Sequence, residues 1–99
     1  MNLRAEQRRA QIMAHATRVA IDGFLYTVTA DAIAEAVGIK RPTVLYHFGS
    51  MQGLRDAVVR TAIKRENLSI LAQAIASNDP LVEGINDDLR RRAILSLSY

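Results

Sequence analysis

Residues 29–48, TADAIAEAVGIKRPTVLYHF, constrain the fold of this chain more than any other stretch. Ala30, Ile33, Ala34 and Val37 recur at the three-and-four spacing that places apolar side chains on one face of a helix. Thr29 stands just ahead of them, where its hydroxyl can accept from a free amide, and Asp31 suits the positive end of the helix dipole. Gly38 enters the left-handed conformation past a helix end without a Cβ penalty, so the helix is expected to stop there and Ile39 to return to the core. Pro42 lacks an N–H and has φ preset for a first helical turn, so a second helix is expected at once, with Val44 and Phe48 on its inner face. Ala34, Gly38 and Val44 thus supply a small contact residue, a turn residue and an apolar anchor, the requirements of two closely crossing helices. The pattern predicts a helix-turn-helix. An ordinary helical hairpin within a bundle carries the same local signals and is the alternative.

The chain has 99 residues, enough for one modest core. It has no cysteine, which excludes a disulfide framework and thiolate metal sites. No apolar run reaches the length of a membrane span, and the N-terminal stretch, with Arg4, Glu6, Arg8 and Arg9, lacks the apolar centre of a signal peptide. A soluble, cytoplasmic protein is expected. The 13 Lys and Arg outnumber the 10 Asp and Glu, giving a net charge of +3 and a pI of about 9.8. That excess is compatible with an anionic partner. Arg4, Arg8, Arg9 and Arg18 precede the hairpin, and Arg55, Arg60, Lys64 and Arg65 follow it; these read as solvated helix faces. Lys40 and Arg41 stand apart, because they lie at the start of the second helix, where free N–H groups and the dipole favour a phosphate.

A first helix is expected over about residues 4–22, with Ile12, Ala16, Val19 and Ala20 along one stripe and Gly23 ending it. His15 has no further ligand at metal spacing. Phe24 and Leu25 are expected to cover the core, and Tyr26, Thr27 and Val28 to form an extended connection. Gly49 makes a turn, and Ser50 can cap a long helix over about residues 51–76. Its apolar positions include Leu54, Ala57, Val58, Ala62, Leu68, Leu71, Ala72 and Ile75, with Val59, Ile63 and Ile70 to one side, a stripe wide enough to suggest contact with further protein. Asp79 and Pro80 read as the cap and first position of another helix, weakened by Gly84 and Asn86. Asp87 and Asp88 restart it, with Leu89, Ala93 and Leu97 on one side. The expected fold is all-α: a three-helix helix-turn-helix head at residues 1–50, then a helical region at residues 51–99 formed by a long fourth helix and a partial fifth.

The opening Ile12–Met13, the run IAEAVGI from Ile33 to Ile39 and the run RPTVLYHFGS from Arg41 to Ser50 together resemble the DNA-binding head of the TetR/AcrR family of bacterial transcriptional regulators. The resemblance covers about half the chain. It implies that the third helix lies in the major groove and that the fourth leads into a helical domain for dimerisation and ligand binding. By position, Arg41, Pro42, Thr43 and Leu45 then look like base readers, Arg41 through bidentate contact to guanine and the others through a thymine methyl. Lys40, Tyr46, His47 and the Thr29 hydroxyl look like phosphate contacts, and binding through His47 is expected to respond to pH. Met51 stands where the family usually has Lys, which implies one phosphate contact fewer and a shallower salt dependence. Ala20 stands where a large aromatic is usual, and Phe24 is expected to fill that space. NDPLVEGINDDLRR resembles the start of the family's fifth helix, so most of the usual ligand domain is missing and control by a small molecule is not expected.

These readings point to a sequence-specific regulator, a repressor, that binds double-stranded DNA as a homodimer on a palindromic operator through residues 42–48. The alternative is a truncated helical module that pairs with a full-length regulator and lacks ligand control. With two His, no Cys, no glycine-rich phosphate loop and no carboxylate pair placed by a motif, neither catalysis nor a metal or cofactor is expected.

Overall fold

The computed structural model describes residues 3–97, all-helical with no strand among them. In order, the α-helices are α1 (Leu3–Asp22), α2 (Ala30–Val37), α3 (Arg41–Phe48), α4 (Met51–Arg65), α5 (Leu68–Ala76) and α6 (Asp87–Leu95). Single 3-10 turns at Leu25–Thr27 and Pro80–Val82 lie between them. The chain divides into two compact units, one ending at Ala57 and the other beginning at Val58. Residues 1, 2, 98 and 99, which the expected division into 1–50 and 51–99 includes, lie outside the described residues.

In the first unit, Ile12, Ala16 and Ala20 repeat every four residues along α1 and are wholly buried. They share a core with Leu25, Val28, Ala30, Ile33, Ala34, Val44 and Leu54. α1 packs against α2, and α2 against α3. α2 begins and ends as its sequence dictates. The Thr29 hydroxyl accepts from the Ala32 amide at 3.2 Å, and Gly38 takes φ 80° while the Gly38 and Ile39 amides both donate to the Ala34 carbonyl at 2.9 Å. That left-handed stop lets the chain reverse within three residues and start α3.

Two expectations fail in this unit. The connection before α2 is not extended throughout: Leu25–Thr27 is a 3-10 turn, with the Thr27 hydroxyl donating to the Phe24 carbonyl at 2.8 Å. The turn allows Leu25 and Val28, three residues apart, both to be buried. Phe24 does not fill the space beside Ala20; it is 65% exposed, and the buried position falls to Leu25. Burying a leucine side chain contributes about 1.5–3 kcal/mol relative to leaving it in water, which fixes the loop by that residue.

In the second unit, the helix expected over 51–76 is broken. α4 ends at Arg65, Glu66 adopts φ 54°, and the Asn67 amide donates back to the Ala62 carbonyl at 2.9 Å. Asn67 then caps α5, its side chain accepting from the Ile70 amide at 3.2 Å. The broad apolar stripe is therefore the superposition of two stripes on two helices, and Val59 and Ile70, set to one side in a single-helix reading, are both buried. Asn78 repeats the left-handed stop at φ 56° after α5, with the Asp79 amide donating to the Ala74 carbonyl at 2.9 Å. Asp79 and Pro80 open only one 3-10 turn, because Asn86 caps α6 anew through the Leu89 amide at 2.7 Å. Arg90 Nη2 ties that turn to α6 by donating to the Val82 carbonyl at 2.6 Å. α5 packs against α6, burying Leu89 and Ala93. Leu97, expected beside them, lies past the end of α6 and is 65% exposed.

Candidate nucleic-acid interface

α3 is a short helix held by one apolar anchor. Val44 is fully buried, Thr43, Leu45, His47 and Phe48 are half-buried, and Arg41, Pro42 and Tyr46 are exposed. Pro42 and Tyr46 flank Val44 two residues to either side, so helical geometry turns both away from the core. Tyr46 is 84% exposed, and its ring meets that of His47 edge to face. A large aromatic that free of the protein interior leaves its hydroxyl available to an external acceptor.

The start of α3 carries no side-chain cap. Lys40 occupies the cap position with extended backbone and makes no capping bond, Pro42 has no N–H, and the Thr43 amide donates to the Lys40 carbonyl at 3.0 Å. The positive end of this helix is thus left to Lys40 and Arg41, both exposed. Arg41 Nε lies 3.6 Å from Asp31 Oδ1 in the first turn of α2, with side chains 60% and 81% exposed. A pair so open to solvent contributes little to stability. Its geometric consequence is larger: the contact engages Nε, and the two terminal nitrogens keep their donors for another acceptor. Thr29, exposed at the start of α2, spends its oxygen lone pair on the Ala32 amide, and its hydroxyl proton can still be donated outward.

The far end of α3 is built by Gly49 and Ser50, the turn and cap expected from the sequence, and by Gly53 and Arg9, which sequence reading did not single out for it. Gly49 takes φ 80°, and its amide donates to the Leu45 carbonyl at 2.6 Å. Ser50 caps α4, its hydroxyl accepting from the Gly53 amide at 3.0 Å. Gly53 has no Cβ, and one placed there would overlap the Phe48 carbonyl oxygen. Arg9 of α1 donates from Nη1 to the His47 carbonyl at 2.6 Å, and its guanidinium carbon lies 4.1 Å from the centre of the Phe48 ring. A glycine four residues after another at a helix start is a visible signal for the first of these contacts. Arg9 gives none, since 38 residues separate it from His47.

The first unit therefore combines a buried helix crossing, a three-residue left-handed turn and a short outward-facing helix with basic residues at its start, the arrangement of a helix-turn-helix head. A family model described as "Bacterial regulatory proteins, tetR family" matches residues 12–58, from the first core residue of α1 into α4. Among curated proteins, the HTH-type transcriptional regulatory protein RaaS of Mycobacterium tuberculosis (strain ATCC 25618 / H37Rv) is 41% identical over 78 residues, covering 74% of this chain and 36% of that protein. The chain thus spans about a third of the length of this relative. No solved structure gives a significant match. Through this helix-turn-helix domain the chain belongs to the tetR family of bacterial regulatory proteins. Among the described residues, no helix is long and apolar enough to cross a membrane, and no group of three or more His, Cys, Asp or Glu could hold a metal ion.

Proposed function

We propose that this chain is a sequence-specific DNA-binding transcriptional regulator of the cytoplasm, a repressor, that lays α3 in the major groove. The observation that carries the reading is the division of α3 between one buried anchor, Val44, and an exposed face with Arg41, Pro42 and Tyr46. In this reading Arg41 contacts guanine through its terminal nitrogens, and Pro42, the Thr43 methyl and Leu45 meet thymine methyls. Thr43 and Leu45 are half-buried, so each can pack inward and touch a base edge at once. Lys40, Tyr46, His47 and Thr29 hold phosphates and set the register. Two copies would place two such helices on a palindromic operator, with half-sites about 34 Å or a multiple of it apart.

Selection from a randomised duplex pool by the purified chain tests this. Enrichment of an inverted repeat, with retention that falls as salt rises, is expected. Retention with no preferred sequence contradicts it. A second reading, a helical module that pairs with a full-length regulator, is favoured by Ile94 and Leu95 at the end of α6 and Leu97 just past it, all exposed apolar residues of the second unit. Under that reading the chain joins a longer relative in solution and enriches no sequence alone.

A further inference from the structure

Arg9 of α1 meets α3 twice, through a hydrogen bond to the His47 carbonyl and through its guanidinium over the Phe48 ring. Arg4 and Arg8 line a shallow polar groove with Gln7 and Gln11 on the same helix. Nη1 of the Arg9 guanidinium donates to the His47 carbonyl at 2.6 Å, and the guanidinium carbon lies over the Phe48 ring, 4.1 Å from its centre. That carbonyl belongs to the last turn of α3, where backbone acceptors have no partner within the helix and the dipole is negative. Only a planar, delocalised cation satisfies both contacts at once; an ammonium is a point charge that meets one of them.

We infer that Arg9 is a positioning residue for sequence reading: it clamps the C-terminal turn of α3 to α1 and so sets the angle at which α3 meets the bases. This rests on the proposed role of α3. The helix has eight residues, one fully buried anchor near its middle and no side-chain cap at its start. Its C-terminal neighbour Gly49 has the freest backbone of any residue type. A helix so held can pivot about Val44 unless its end is tied. Base-edge hydrogen bonds tolerate displacements of only about 0.5 Å and 10–20°, whereas phosphate contacts carry no sequence information and tolerate more. Loss of the clamp should therefore reduce discrimination between sequences and leave the general attraction to DNA.

The decisive variant is Arg9→Lys, which keeps the charge and removes the planar contacts, with Arg9→Gln beside it. In the DNA-free protein, amide exchange at residues 46–49 is expected to speed up about fivefold or more in Arg9→Lys, while the remaining α1 and α2 amides hold their protection. On duplexes enriched by the unaltered chain, the ratio of specific to non-specific binding should fall about fivefold to tenfold, with an unchanged salt slope. Unchanged exchange at residues 46–49 overturns the clamp whether or not the chain binds DNA. Faster exchange with unchanged discrimination overturns the positioning role. Wild-type discrimination in Arg9→Lys, together with a salt slope lower by about one in Arg9→Gln, overturns it in favour of a phosphate contact. Failure of the unaltered chain to enrich any sequence overturns the reading of α3 itself, and with it Arg9's role in that reading.

Discussion

Gly53, in the first turn of α4, lies directly against the carbonyl of Phe48, the last residue of α3, and any side chain at position 53 would overlap that oxygen. The turn from α3 into α4 therefore depends on a missing Cβ as well as on the left-handed Gly49. Gly53→Ala would ordinarily favour a helix. Here it should destabilise the chain by about 1–3 kcal/mol, since the obstacle is backbone and cannot rotate away. Denaturant unfolding of the variant checks this. A gain in stability would mean that α3 and α4 do not approach each other this closely.

Phe24→Ala and Leu25→Ala should differ sharply although the residues are adjacent. Phe24 is 65% exposed and Leu25 wholly buried. The first substitution should change stability by no more than about 0.5 kcal/mol, and the second should cost about 2–5 kcal/mol. Thermal unfolding of the two variants under one condition separates them, and a large loss for Phe24→Ala would restore the idea that it compensates for Ala20.

That contrast shows where sequence was informative. Thr29, Gly38 and Pro42 act on their own few residues of backbone, so the start, stop and restart of the helix pair could be read directly from them. Phe24 and Leu25 lie in a loop without periodicity, and either can be assigned to the core until the turn conformation is known. The break at Glu66 was hidden for a different reason. Apolar residues continue on both sides of it, Glu66 is not a residue type that signals a left-handed stop, and Asn67 reads as an ordinary polar position in a long helix. Its support is tertiary: Arg92 Nη2 pairs with Glu66 Oε1 at 2.9 Å, and Arg92 Nε with Asp88 Oδ2 at 2.9 Å. These hydrogen bonds, first that of Glu66 and then that of Asp88, raise the Arg92 pKa above its ordinary value, and pairs this exposed contribute little to stability. Within the proposed interface, residues 40–47 could be put forward from the sequence because they are contiguous. Arg9 was not, because nothing local distinguishes a clamping arginine from a solvated one.

Asp31 lies beside Arg41 and two residues from Thr29, which is proposed to hold a phosphate. Asp31→Asn removes a negative charge and releases Arg41 Nε. Non-specific DNA affinity should rise, and the preference at the base pair read by Arg41 should weaken as the guanidinium loses its lateral support. Fluorescence anisotropy with one enriched and one scrambled duplex reads both effects. Reduced affinity for both duplexes would show that Asp31 supports binding in some other way, for example through the first turn of α2.

Whether α3 reads base sequence is decided by comparing Arg41→Ala with Lys40→Ala. Both variants are to be titrated against an enriched duplex and its single-base substitutions at two salt concentrations. Arg41→Ala is expected to lose about 1–3 kcal/mol on the enriched duplex and to become indifferent to the base at one position of each half-site. Lys40→Ala should weaken every duplex alike and lower the salt slope by about one. Equal losses across all base substitutions for Arg41→Ala would contradict the assignment and leave α3 a helix that rests on DNA without reading it.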